Sequence, residues 1–132
     1  MATNASQPAS SGSQTASTQI ECRTFEQPDD ALDFAHHGKI EILRMRDGMT
    51  GMHAIFEPGW TWSADEKPLL GNPDSCPMPH IGYCIAGELV VRMVATNEER
   101  RLRRGDFFEI PPGHDAYVPG SERCELILFA AP

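Results

Sequence analysis

The 132-residue sequence contains no long hydrophobic run: although 40% of it is hydrophobic, nowhere do those residues fill the roughly 20 consecutive positions that a membrane-spanning helix needs. No membrane partner is expected. An excess of positive charge is also missing, with 11 Lys and Arg against 19 Asp and Glu, a formal net charge of -8. Affinity for nucleic acid comes mainly from cationic side chains that release counterions, so no nucleic-acid partner is expected either. The densest group of basic residues, around Glu98-Glu99-Arg100-Arg101 and Arg103, mixes both signs between two apolar segments and reads as a solvated hairpin tip. The four cysteines, Cys22, Cys76, Cys84 and Cys124, form no C-x-x-C pair and follow no secretory leader. A disulfide framework and a zinc ribbon are therefore both unsupported, and the expectation is reduced thiols in a cytoplasmic protein. Dinucleotide and phosphate-binding glycine loops, a G-x-S-x-G elbow and H-E-x-x-H are all absent. Nucleophilic catalysis through Cys76 and His80 lacks an orienting partner and an oxyanion hole.

What is present divides in two. Residues 1–20 are nearly all Ser, Ala, Thr, Gln and Asn, lacking both the apolar core of a signal peptide and the arginines of a mitochondrial presequence. Such a composition cannot bury enough surface to order itself, so this segment reads as a disordered tail ahead of one domain over 21–132. In that domain apolar residues recur with period two, and Gly or Pro punctuates the chain at short intervals, the pattern of an all-β sandwich or barrel. Strands are expected at 40–45, 52–57, 80–86, 88–93, 106–110, 116–118 and 124–130. The one helical signal is a short turn within 28–38, which Asp29 or Asp30 would cap and Gly38 would end. Ala86-Gly87 suits a tight hairpin, and Ile110-Pro111-Pro112-Gly113 a sharp corner.

Two of these punctuated segments resemble the paired sequence motifs of the cupin superfamily. In the second motif a Gly is followed after five residues by Pro-x-Gly, here Gly105, Pro111 and Gly113. The first ends in an acidic ligand, six residues and a Gly, and His80 holds the acidic position relative to Gly87. The resemblance spans about residues 40–130 and implies an antiparallel cupin double-stranded β-helix, a jelly-roll barrel with little helix. The strings 57-EPGWTWS-63, 79-PHIGY-83 and 111-PPGHDAY-117, with Lys67-Pro68 and Asp74-Ser75-Cys76, are similar to a branch of small single-domain cupins of unassigned activity.

Metal-binding cupins typically offer three histidines and a carboxylate at the barrel mouth. Measured against that, the paired histidines of the first motif fall near Asp74 and Cys76, and the histidine of the second is replaced by Ala116. Strand parity supplies a substitute, since His114 shares a face with position 116. By the same rule His80, Gly82 and Cys84 point one way and Tyr83 the other. Cys76 lies four residues before His80 across an irregular Pro77-Met78-Pro79, and Asp65 or Glu66 is available as an oxygen ligand. A set drawn from Asp65, Cys76, His80 and His114 suits zinc or ferrous iron, because imidazole and thiolate favour both ions. The alternative is a hydrogen-bonded interior histidine and a cysteine acting as a small buried hydrophobe.

Trp60 and Trp62 are candidates for the wall of a small-molecule pocket. His36 and His37 read as exposed loop residues, and His53 as facing away from Met52 and Ala54. Ile81, Tyr83 and Ile85 on the outward face predict a homodimer. Two functions remain open at this point: a metal-dependent enzyme doing oxygenation, isomerisation or lyase chemistry on a small molecule, and a non-catalytic module that binds a small ligand.

Overall fold

Period-two alternation becomes sheet wherever it places an apolar face against a second sheet, and the computed structural model, which describes residues 18–132, contains nine strands. They are β1 Asp30–Asp33, β2 Gly38–Arg44, β3 Thr50–Phe56, β4 His80–Ala86, β5 Glu88–Met93, β6 Glu99–Arg103, β7 Phe107–Ile110, β8 His114–Tyr117 and β9 Cys124–Ala130. One sheet has six strands in the order β1-β2-β3-β9-β4-β7, and the other has three in the order β6-β5-β8. All pairings are antiparallel, as in a jelly roll. The expected tail falls mostly outside the described residues.

Inward residues from both sheets form a single core that includes Ile40, Ala54, Phe56, Leu89, Leu126 and Leu128. Burying one such aliphatic side chain stabilises the fold by about 1.5–3 kcal/mol. Two glycines answer to steric demands. Gly87 turns β4 into β5 at φ 71°, where a Cβ would strike the Arg123 carbonyl. Gly82 leaves the inner face of β4 open where a Cβ would meet the Ile127 carbonyl and the Leu128 and Phe108 side chains.

Three local expectations are corrected. The charged run at 98–103 is not a hairpin tip but contains β6, a strand whose alternation is masked because only Leu102 on it is buried. Charges along its free edge discourage pairing with another chain. Within 28–38 a short 3₁₀ turn forms at Ala35–His37 and ends at Gly38, but Phe34 and not Asp29 or Asp30 precedes it, because Asp30 to Asp33 form β1 and pair with Ile42 to Lys39. Regular turns also appear at Trp62–Glu66 and Lys67–Leu70, opened by Thr61, whose hydroxyl accepts from the Ala64 N–H at 3.0 Å.

Candidate metal centre

His80 opens β4 and His114 opens β8, so each stands at the end of a strand, from different sheets. Cys76 joins them through the backbone. Its N–H donates to the His114 carbonyl at 2.8 Å, and the Gly113 N–H donates to the Cys76 carbonyl at 2.7 Å. This two-bond bridge fixes the segment before β4 against β8, which the run Pro77-Met78-Pro79 alone did not reveal. Parity places His114 and Ala116 together on the buried face of β8.

The ligand atoms of Cys76, His80 and His114 lie within 4.8 Å of one another. Cys76 Sγ is 3.7 Å from His80 Nε2, and the two imidazole rings meet edge to face with centroids 5.1 Å apart. In a tetrahedral zinc site, metal–sulfur and metal–nitrogen bonds of about 2.3 and 2.0 Å put the two donor atoms about 3.5 Å apart. The observed spacing is close to that. The Pro111 carbonyl only accepts, so His114 Nδ1 at 2.8 Å must donate to it, leaving Nε2 with the lone pair a metal requires. Cys76 and His114 are almost fully enclosed and His80 is half-buried. The three side chains therefore fit a thiolate- and imidazole-binding ion such as zinc or ferrous iron.

Asp65 is not with them. One carboxylate oxygen is 2.8 Å from His37 Nδ1, and the other accepts from the Thr61 N–H at 3.0 Å. These two bonds hold Asp65 and His37 to each other, so His37 is a half-buried partner rather than a free loop residue. The neighbouring carboxylate, Glu66, is the one that lines the cavity with His80 and His114. Adjacent positions on the π-turn Trp62–Glu66 point different ways, and the sequence offered both residues as an oxygen ligand.

Burial sets the electrostatics of the cluster. Desolvation pushes the Glu66 carboxyl up to about 7. Desolvation, with repulsion from His114, pulls His80 down to about 4, so its imidazole is neutral near pH 7 and open to a metal. His114 is lowered chiefly by burial, against the opposing Pro111 bond and Asp115. The Cys76 thiol is raised mainly by burial, with a further push from Glu66. A cation among these groups would reverse the penalty on the thiolate and on Glu66 together.

Trp60 and Trp62 form part of the wall of a cavity of about 40 Å³ beside the histidines. Trp60 stacks on Phe56 at 3.8 Å, and its carbonyl accepts from the Val118 N–H at 3.0 Å. Both indole N–H groups are buried without a hydrogen-bond partner among the described residues. Trp62 slightly favours the Cys76 thiolate, so it is near that sulfur, though without the geometry of a hydrogen bond. A larger open groove of about 490 Å³ between β6 and β7 contains none of Cys76, His80 or His114.

Elsewhere Cys84 is buried at the far end of β4, where its thiol donates to the carbonyls of Ala86 and Gly87 at 3.5 and 3.6 Å. His53 sits on the outer sheet face between Glu41 and Glu125, at 3.3 and 2.8 Å. Ile81, Tyr83 and Ile85 are about 40% exposed.

No protein-family model and no curated protein matches the chain. Solved structures do resemble it in fold. KdgF from a Halomonas species is 22% identical with a TM-score of 0.57, over 87% of this chain and 96% of that one. A Cupin 2 conserved barrel domain protein from Salinispora arenicola is 14% identical with a TM-score of 0.56, over 89% and 91%. A cupin-like protein from Thermotoga maritima is 20% identical with a TM-score of 0.50, over 70% and 67%.

Proposed function

The chain has the cupin fold, and from that premise we propose that it binds a divalent ion, zinc or ferrous iron, through Cys76, His80 and His114 and acts on a small molecule in the adjoining cavity. The observation that carries this reading is the convergence within 4.8 Å of three donor side chains, from the bridge before β4, the start of β4 and the start of β8, beside a largely apolar cavity that Glu66 also lines. An ion held there would supply Lewis acidity or activate oxygen, which suits oxygenase, isomerase or lyase chemistry. The remaining work falls to the chain. His114 is oriented by Pro111, His80 stays neutral, and Glu66, poised near neutrality, takes or gives a proton beside the cluster. The tryptophans and the aliphatic wall exclude water, strengthening every polar contact inside.

Metal content measured on chelator-free protein tests this proposal. About one ion per chain in the wild type, lost in Cys76→Ala, His80→Ala and His114→Ala while the fold persists, is the expected result. Unchanged metal in those variants overturns it. A second reading, ligand binding without turnover, is favoured by one observation: a cavity of about 40 Å³ leaves little room for a second reactant. Turnover of any small substrate would remove that second reading.

A further inference from the structure

Trp60 and Trp62 are the only tryptophans in the chain, both line the same small cavity, and both carry a buried N–H without a hydrogen-bond partner among the described residues, that of Trp62 lying near the Cys76 sulfur. Buried donors left unpaired are rare, because each forfeits the hydrogen bond it made to water in the unfolded chain. Two in one wall mean that the cavity is completed by something that brings acceptors.

The wall decides what that something is. Beside the indoles, the polar groups facing the cavity are Glu66, His80 and His114; the rest is aliphatic or aromatic, including Ile40, Leu126 and Leu128. A cluster of waters would need acceptors for its own hydrogens, two to four polar partners each, and with an ion holding the lone pairs of His80 and His114 only Glu66 is left in that wall to accept them. A molecule that only accepts at one end and is apolar at the other matches both halves. The volume of about 40 Å³ holds about three water-sized centres. That limits the occupant to about three or four heavy atoms.

We infer that the cavity binds a short monocarboxylate of formate or acetate size, its oxygens accepting from the Trp60 and Trp62 indole N–H groups and its other end meeting the aliphatic wall. This deepens the proposed function and rests on it for the ion at Cys76, His80 and His114, which holds the imidazole lone pairs and offsets the ligand's negative charge, a charge that the protein's own net charge of -8 opposes. A carboxylate provides two oxygens with about four lone-pair directions, enough for two indole donors with capacity left over.

Two indole N–H resonances in a nitrogen–proton correlation spectrum of the ¹⁵N-labelled full chain read the site directly. Zinc-loaded and metal-free samples are titrated with formate, acetate and, at matched ionic strength, butyrate. Saturable downfield movement of both indole protons with formate or acetate, and none with butyrate, is the expected result. Trp62→Phe keeps the ring and removes the donor. It should retain zinc and weaken acetate binding by at least about tenfold, as loss of a hydrogen bond to a charged group does. Indole resonances that stay put at saturating acid in both samples, or equal binding in Trp62→Phe, overturn the inference. Should Trp62→Phe fail to fold, the wild-type titration decides alone. Zinc content of the same samples separates the two proposals. Zinc bound with silent indoles removes the carboxylate and leaves the metal site. Indoles that respond in protein that takes up no zinc do the reverse.

Discussion

Strand β4 carries a buried sulfur environment at each end, and the two differ in what surrounds the thiol. At its start, His80 meets Cys76 and His114, an assembly of one sulfur and two neutral imidazoles facing a cavity. At its end, Cys84 lies near Cys124 with backbone carbonyls as its acceptors and no imidazole beside it. Burial raises the thiol pKa at both ends, and for Cys124 it does so most strongly, with Cys84 adding to it. Enclosure is therefore common to both and cannot be the mark of a site. What distinguishes the first end is that its burial also keeps two histidines uncharged, creating lone pairs that converge, where at the second end Cys84 meets backbone carbonyls and the Cys124 thiol.

The sharpest way to break this contrast is to exchange the roles. Replacing Cys76 by Ala should lower zinc affinity by at least about a thousandfold, because a thiolate contributes a large share of binding at a Cys/His site. Replacing Cys84 or Cys124 by Ala should leave zinc affinity as it is and cost about 1–2 kcal/mol of stability, the loss of a small buried hydrophobe. Competition with a chromophoric chelator measures the first quantity and denaturant unfolding the second. Zinc loss in Cys124→Ala with its fold intact would remove the distinction between the two ends.

Acid titration of the metal-free protein sharpens the same point. His80 has an ordinary value of 6.5 and lies near 4 in the folded chain, so between those limits the unfolded chain binds a proton that the native one refuses. Stability from this group is complete above pH 6.5 and is lost as pH falls toward 4. Glu66 runs the other way: raised from 4.5 to about 7, it binds its proton in the native state first, and stability falls as pH rises through that window. A difference near 2.5 pH units corresponds to at most about 3 kcal/mol for each group. The two windows overlap and oppose, so the wild type should change little between pH 4.5 and 6.5 on their account. Glu66→Gln removes one side of the balance, exposing a loss of up to about 3 kcal/mol from pH 6.5 to 4 and raising stability above pH 7. A Glu66→Gln profile parallel to the wild type's would show that the carboxyl is not desolvated. His114 and Cys76, the other titratable groups facing His80, remain in that variant, Cys76 losing only the upward push of Glu66 on a thiol that burial already raises.

How much of this could be read from the sequence depends on whether local pattern or distant contact decides the feature. The strands at 80–86, 88–93 and 124–130 match β4, β5 and β9 because alternation and the turn at Gly87 are local properties. The edge strands β1 and β6 escaped, since an edge strand presents little apolar surface and its partners lie elsewhere in the chain. Within the site, parity alone pairs His114 with the face of Ala116, and the spacing of Cys76 from His80 brings those two near each other. The choice between Asp65 and Glu66 was not legible, because it turns on His37, 28 residues away, capturing the first carboxylate. The orphaned indoles were equally hidden: a tryptophan in a sequence discloses its bulk but not whether its N–H finds an acceptor.

The two faces of β4 extend the comparison outward, with the smallest expected effect on the fold. Inside stand His80, Gly82 and Cys84; outside, Ile81 pairs across the ladder with Phe129, and Tyr83 with Phe107, which is 71% exposed. Apolar groups thus cross three adjacent strands on a surface that none of the described residues covers. We propose that a second copy of the chain covers it, since a two-fold axis through this face would set each apolar group against its own kind. Replacing Tyr83 and Phe107 together by Lys should convert a dimer to a monomer in sedimentation, while shifting monomer stability by only about 0.5 kcal/mol, as exposed substitutions do. Zinc stoichiometry should be unchanged in that monomer, because no donor atom of the cluster lies on the outer face. A wild type that sediments as a monomer at all concentrations would leave the outer face without the role assigned to it and the inner one untouched.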